Sequence, residues 1–288
     1  MEHDAQIQRL KGLTRQRACG SQAAALGLIC VLLCAASGIP VHADQIVLTA
    51  SKDNTLYETA DGSTSNGTGT AMFAGRNSQA TDSIRRALVW FDVAANIPVG
   101  STILSAQLTM YNDAANVQDE SVSLHRAAGD WGEGTSVAGG GQGAAATSGD
   151  ATWLHTFFDA EFWNLAGGDF ELSASASTVV GAEAAYVWGS TAAMAADVQS
   201  WLDSPTTNFG WCVVGNESTP STAKRFATRE EADSARHPKL IVDYVLPGVP
   251  VISDWGAVAL ALLLAIAGSI RILNQGVSTH ALEGWSEL

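Results

Sequence analysis

An all-β domain, laid out as one antiparallel β-sandwich with a single short helix, is the fold class predicted for residues 44–245. Three observations predict it. Apolar and polar residues alternate at period two, apolar runs are short and separated by Gly, Ser, Thr, Asn and Asp, and only one segment has a helical period.

Residues 1–43 read as a secretory signal. Arg9, Lys11, Arg15 and Arg17 precede an uncharged stretch from Ala23 to Ser37, and Val41-His42-Ala43 supplies a cleavage site after Ala43. Cys19, Cys30 and Cys34 lie inside that segment, so Cys212 alone remains in the exported chain and no internal disulfide forms. Export also removes four of the 15 basic and two of the 29 acidic residues, leaving 11 against 27, a net charge of −16. Such a surface repels nucleic acid and anionic lipid headgroups, and it equally well serves simple solubility.

Within the domain, Leu104, Ala106, Leu108 and Met110 alternate with Ser105, Gln107 and Thr109, a strand with one face on a core and one in water. Phe170, Leu172, Ala174 and Ala176 alternate in the same way with Glu171, Ser173 and Ser175. The denser runs Ala87–Phe91 and Phe209–Val214 predict strands covered on both faces, with Trp90, Trp201 and Trp211 in the core. Residues 240–244 close the set. Between Thr191 and Asp203, Met194, Val198, Trp201 and Leu202 form the stripe of an amphipathic helix, capped by Ser190 or Thr191 and followed by Pro205. The Gly/Ala/Ser stretch from Val137 to Ser148 reads as a mobile loop or low-complexity insertion.

Residues 246–254 form a linker carrying Pro247 and Pro250. Trp255 to Ile270 is then a run of sixteen residues without a charge, ended by Arg271. Ile272 and Leu273 extend it to transmembrane length if Arg271 snorkels, so residues 255–273 predict a membrane helix and 274–288 a polar tail.

The ordered motifs of the domain resemble those of the DNRLRE-domain family. They are Asp53-Asn54-Thr55-Leu56-Tyr57-Glu58, Asn66-Gly67-Thr68-Gly69, Arg86 through Asp92, Trp131-Gly132-Glu133-Gly134-Thr135, Asp150-Ala151-Thr152-Trp153, Arg229-Glu230, and Arg236 through Leu240. The resemblance implies a jelly-roll-like sandwich and an extracellular module related to carbohydrate-binding domains, some of which bind alginate. Val249-Pro250-Val251-Ile252-Ser253-Asp254-Trp255-Gly256 resembles a bacterial IPTL-type C-terminal sorting signal, although seventeen residues follow Arg271 where such signals end shortly after their arginines.

The functional expectation is a non-catalytic surface protein that binds a polysaccharide, with no nucleic acid partner. Sugar C–H groups lie against aromatic faces, so Trp131 and Trp153, which flank Gly-rich loops, are the candidate stacking residues; the alternative is that both pack against the sandwich end. For an acidic polysaccharide, Arg225 and Arg229 are the candidate carboxylate forks, within a basic group of Lys224, Arg236, Lys239, Arg76, Arg85 and Arg86. Internal Arg–Asp pairing is the competing use of each. Calcium is a candidate cofactor if the first and last strands are neighbours, bringing Asp53, Glu58 and Asp243 together with Asp61. Common hydrolase, zinc and nucleotide motifs are absent from the sequence. A structural or adhesive role without a glycan ligand is the alternative function, and nothing in the sequence sets the oligomeric state.

Overall fold

The structure, a computed structural model, describes residues 43–113 and 116–247. Of the predicted signal only Ala43 is described, and it is exposed; the C-terminal apolar run lies outside the described residues. Among the described residues no helix is long and apolar enough to cross a membrane.

The strands are β1 (Asp44–Thr49), β2 (Lys52–Tyr57), β3 (Thr64–Ser65), β4 (Ala71–Arg76), β5 (Ile84–Trp90), β6 (Thr102–Asn112), β7 (Glu120–Arg126), β8 (Ala144–Ala145), β9 (His155–Phe157) and β10 (Glu161–Phe162). They continue with β11 (Ala176–Val180), β12 (Ala184–Gly189), helix α1 (Ala192–Asp203), β13 (Trp211–Val214), β14 (Lys224–Ala227) and β15 (Lys239–Val245). The fold is all-β, antiparallel and sandwich-like, with one α-helix among the described residues.

One layer runs β12–β6–β15–β1, and β14 joins β6 where Phe226 faces Asn112. The other layer runs β11–β7–β13–β5–β2. Strand β4 belongs to both: Ala71–Ala74 pair with β14, while Gly75 and Arg76 pair with Arg85 and Ile84 of β5. The crossing turns at Gly75, whose φ of +117° is the province of glycine, and a Cβ there would meet the Ala223 Cα at 3.0 Å.

Alternation puts Leu108 and Met110 of β6, Val122 and Leu124 of β7, Trp211 and Val213 of β13, and Leu240 and Val242 of β15 into one core between the layers. Each large apolar side chain so buried stabilises the fold by roughly 1.5–3 kcal/mol before entropy is counted. Helix α1 forms as the periodicity predicts. Thr191 Oγ1 accepts a hydrogen bond from the Met194 amide at 3.1 Å, and Met194, Val198, Trp201 and Leu202 are all buried. Trp201 meets Trp211 edge-on, with ring centroids 4.5 Å apart.

Four local expectations are corrected. In β6, Asp243 pairs with Ser105 but Tyr244 with Ile103, so Leu104 is the extra residue of a β-bulge. The bulge flips the phase: Ile103 turns inward and Leu104 is 51% exposed. The alternation of Phe170 to Ala176 is no strand, because ladder pairing there begins only at Ala176, and Leu172 is 91% exposed. The Val137–Ser148 segment is tied down, through β8 pairing with β3 and the Gly141 carbonyl accepting from Arg85 Nε at 2.9 Å. Trp90 is half-buried rather than core, its Nε1 donating to the Asn208 carbonyl at 2.9 Å.

The two dense strands are covered on both faces, and the outer cover consists of loops. Leu56, Leu88 and Cys212 point away from the main core, and Trp131, Ala151, Trp153 and Trp163 pack over them in a second apolar cluster.

Candidate functional site

The separated sequence motifs converge on the flank of β2 in a polar knot. Asn54 Oδ1 accepts from the Thr55 and Asn66 amides at 2.6 and 3.2 Å and from Ser65 Oγ at 2.9 Å. Its Nδ2 donates to the Glu133 carbonyl at 2.9 Å. Asn66 reaches the other way, accepting from the Ala138 amide at 2.7 Å and donating to the Ala71 carbonyl at 2.6 Å. Asp150 Oδ2 takes the Thr147 amide at 2.6 Å, and the Ala151 amide donates to the Gly132 carbonyl at 2.7 Å. The loops approach so closely that Gly134, at φ +67°, leaves no room for a Cβ, which would stand 1.7 Å from Asp150 Oδ1. These motif residues bind each other's backbone, which is a loop-building chemistry.

Beside the knot lies a charged cluster. Arg229 grips Glu133 with both arms, at 2.9 and 2.6 Å, and reaches Glu230 at 3.0 Å. Asp53 Oδ2 accepts the Arg229 amide at 2.9 Å, while Asp53 Oδ1 and Glu230 Oε2 are buried without a donor. Burial pushes the Asp53 carboxyl well above the usual carboxylate range; the Arg229 amide opposes this, and Glu230 and Glu133 add to it. Burial also raises Glu230, against the pull of the Arg229 guanidinium.

The candidate stacking residues are placed otherwise than expected. Trp131 is 0% exposed, with its Nε1 donating to the Phe209 carbonyl at 2.8 Å and Lys52 Nζ lying 4.4 Å from the ring centroid. The expectation of an exposed indole face there is corrected: the face is taken by the sheet and by Lys52. Trp153 is buried too, with the Arg86 guanidinium 5.0 Å from its ring. Both tryptophans seal the outer side of β5 and β13, as the packing alternative holds.

The basic residues form internal links rather than a shared open patch. Arg225 pairs with Asp113, and Arg86 holds Glu217 at 2.7 and 2.9 Å. Arg85 donates to the carbonyls of Asp82, Ile84 and Gly141. Arg76 bonds Ser83 Oγ at 2.9 Å, and Lys239 Nζ bonds the Ala235 carbonyl at 3.2 Å. Lys224 is fully buried, its ammonium held by the carbonyls of Asn116, Gln118 and Gly181. Arg236 lies 4.4 Å over Tyr111 and 3.6 Å from both Glu183 and Asp233.

The first and last strands are neighbours, as the calcium reading required, yet its carboxylates do not converge. Asp53 and Glu58 stand five residues apart along one chain direction, about 17 Å when extended and on opposite faces. Glu58 Oε2 accepts the Ser83 and Ile84 amides at 2.7 and 2.8 Å, and Asp61 bonds Ser63. Asp243 lies in the other layer, accepting from Gln45 Nε2 at 2.8 Å and Ser105 Oγ at 2.6 Å. Asp53, Glu58 and Asp243 therefore do not fit a shared cation. Among the described residues no group of three His, Cys, Asp or Glu side chains is arranged to hold a metal ion.

Among the described residues one large aromatic ring is mostly exposed, and sequence reasoning missed it. Phe162 on β10 is 64% exposed and Glu161 before it is exposed too, while Trp163, just past the strand, is buried. The Phe162 ring leans on His155 with centroids 4.3 Å apart, and His155 is fixed by Thr152 Oγ1 at 2.9 Å from Nδ1 and by Phe158 edge-on at 5.1 Å. Leu165, three residues on, is 71% exposed. Comparison with protein-family models gives no match to this chain, and comparison with curated proteins gives none.

Proposed function

We propose that this chain is an exported, non-catalytic surface protein whose jelly-roll-like sandwich binds carbohydrate and whose C-terminal apolar segment anchors it to a membrane. The observation that carries the binding role is Phe162, an exposed ring braced from behind by His155. A sugar face loses its hydration against such a ring at little entropic cost, because the platform is already held. The neighbouring first and last strands support the jelly-roll reading, and the apolar run from Trp255 supports the anchor.

Glycan-array binding of the purified protein tests the reading, with Phe162→Ala beside it. Micromolar to millimolar binding, lost in Phe162→Ala with an unchanged circular dichroism spectrum, is expected. An array blank for every glycan, with and without calcium, would sink it. Deleting residues 255–288 is expected to release the protein into the medium, and a truncated chain that stays with the membrane would place the anchor elsewhere.

The second reading, a structural or adhesive sandwich without a glycan ligand, is favoured by the burial of Trp131 and Trp153 and by the inward bonding of the motif residues.

A further inference from the structure

We propose that the domain is built to form an intramolecular isopeptide bond, in which the Lys224 amine replaces the side-chain amide nitrogen of Asn112 and joins β14 covalently to β6.

The two reacting side chains share one face of adjacent strands. On β6, Asn112 continues the inward series of Leu108 and Met110, and on β14 Lys224 shares the inward face of Phe226. Phe226 lies opposite Asn112, so Lys224 is the diagonal neighbour of Asn112. Both side chains are wholly buried. Both also donate to a single atom, the Gly181 carbonyl oxygen, Asn112 Nδ2 at 3.1 Å and Lys224 Nζ at 3.3 Å. The nitrogen that leaves and the nitrogen that replaces it are therefore neighbours across one oxygen. The facing layer directs a carboxylate to the same end of the sandwich. Glu120 of β7 continues the inward series of Leu124 and Val122, and it pairs with Val180, the residue before Gly181.

Ordinary hydrogen bonding leaves this corner incomplete. Asn112 Oδ1 is buried without a donor, so the amide is held through its nitrogen alone, the atom that departs. An orphaned buried acceptor is costly, and a lysine inside a sandwich is costly as well. The Lys224 ammonium is held by the carbonyls of Asn116, Gln118 and Gly181. Burial lowers its pKa, against the charges of Glu120 and Asp119, and only the neutral amine is a nucleophile. The packed strands hold amine and carboxamide together, which replaces a collision between separate molecules.

The step balances. Glu120, the carboxylate whose charge acts most on Lys224, takes one proton from the ammonium, and the amine adds to Asn112 Cγ. A second proton passes from Nζ to Nδ2, the Cγ–Nδ2 bond breaks, and ammonia leaves with the proton that Glu120 held. An ammonium and a carboxamide become a secondary amide and an ammonium ion, with no change of oxidation state. The bond closes a long loop in a domain whose buried Cys212 is a free thiol.

The test is tandem mass spectrometry of a protease digest of the purified full chain, beside a denaturing gel. A branched peptide joining Asn112 to Lys224 is expected, lighter than its two parts by one ammonia. Lys224→Met is expected to lack it and to migrate more slowly than the compact parent. Asn112→Asp is expected to give the same branched peptide with loss of water in place of ammonia. Glu120→Gln is expected to cut the linked fraction at least tenfold with an unchanged circular dichroism spectrum.

Recovery of Asn112 and Lys224 in separate, unmodified peptides from the parent overturns the inference. A loss of ammonia that maps to ring closure at Asn66-Gly67, with no branched peptide, overturns it too. A Glu120→Gln chain linked as fully as the parent overturns the assignment of the proton acceptor. The parent digest decides even where Lys224→Met fails to fold.

Discussion

Truncating Trp131 to alanine should unfold or severely loosen the domain, and its size follows from the contacts of the indole. The side chain is wholly buried against Leu56, Leu88 and Cys212, so Trp→Ala there costs about 3–5 kcal/mol in lost burial and cavity. The Phe209 carbonyl loses its donor at 2.8 Å, adding roughly 1 kcal/mol or more if water cannot replace it. Lys52 loses the ring beneath its ammonium, about 0.5–1 kcal/mol. The combined loss, about 4.5–7 kcal/mol, approaches the whole stability of an ordinary domain. Urea titration followed by tryptophan fluorescence and circular dichroism measures it, with Trp131→Phe as the milder comparison. A Trp131→Ala protein that keeps its midpoint within about 1 kcal/mol of the parent would refute the assignment of this residue to the outer cover, and would return it to the surface as a ligand contact.

Asp53→Asn is expected to raise stability at neutral pH and flatten its pH dependence. Burial raises the folded-state pKa of Asp53, so the stability linked to this group is full below the ordinary carboxylate range and is lost as pH rises through the raised value. The amide can keep the bond from the Arg229 N–H through its oxygen and carries no charge to strand; thermal melts from pH 4 to 8 decide, and an unchanged slope would count against it. Gly134→Ala is expected to cost several kcal/mol, since its Cβ meets Asp150 Oδ1 at 1.7 Å and its φ is +67°; a melt within a degree of the parent's would show that the knot gives way. Cys212 is buried and burial pushes its thiol up to about 12, so a thiol reagent should label it only on unfolding. Labelling at the rate of a free thiol in native buffer would contradict that placement.

What could be read from the residues depended on whether their partners lay nearby in sequence. Helix α1 was legible because its cap and its stripe sit within thirteen residues, and each does its work locally. The alternation of β6 was legible up to Leu104, where the bulge answers to the register of β15 and so to residues far along the chain. Phe170–Ala176 shows the converse, since alternation makes a strand only where a ladder partner is present. Trp131 misled because its glycine-rich surroundings read as solvent-facing. The signal against that lay in the dense runs 87–91 and 209–214, whose second apolar face required a cover to which the loop tryptophans contribute most of the bulk. Phe162 was concealed by adjacency to Trp163, as nothing in the pair Phe-Trp states which ring turns outward.

The pairing of β1 with β15 has a kinetic consequence. The Gln45–Asp243 hydrogen bond spans 198 residues, and the layer holding both strands is incomplete until the last has arrived. Closing so long a loop costs more entropy than any hairpin in the domain, and contacts of this reach slow folding. A chain threaded from its N-terminus would therefore carry β1 unzipped while nearly the whole domain emerges behind it, then close in one late event. Exposed apolar β1 and the half-built layer would be most open to proteases and to pairing with other chains during that interval. Stabilising the last strand of the domain, at Leu240 and Val242, would shorten it if that closure limits the rate, whereas reinforcing α1 or the loop knot would leave it unchanged.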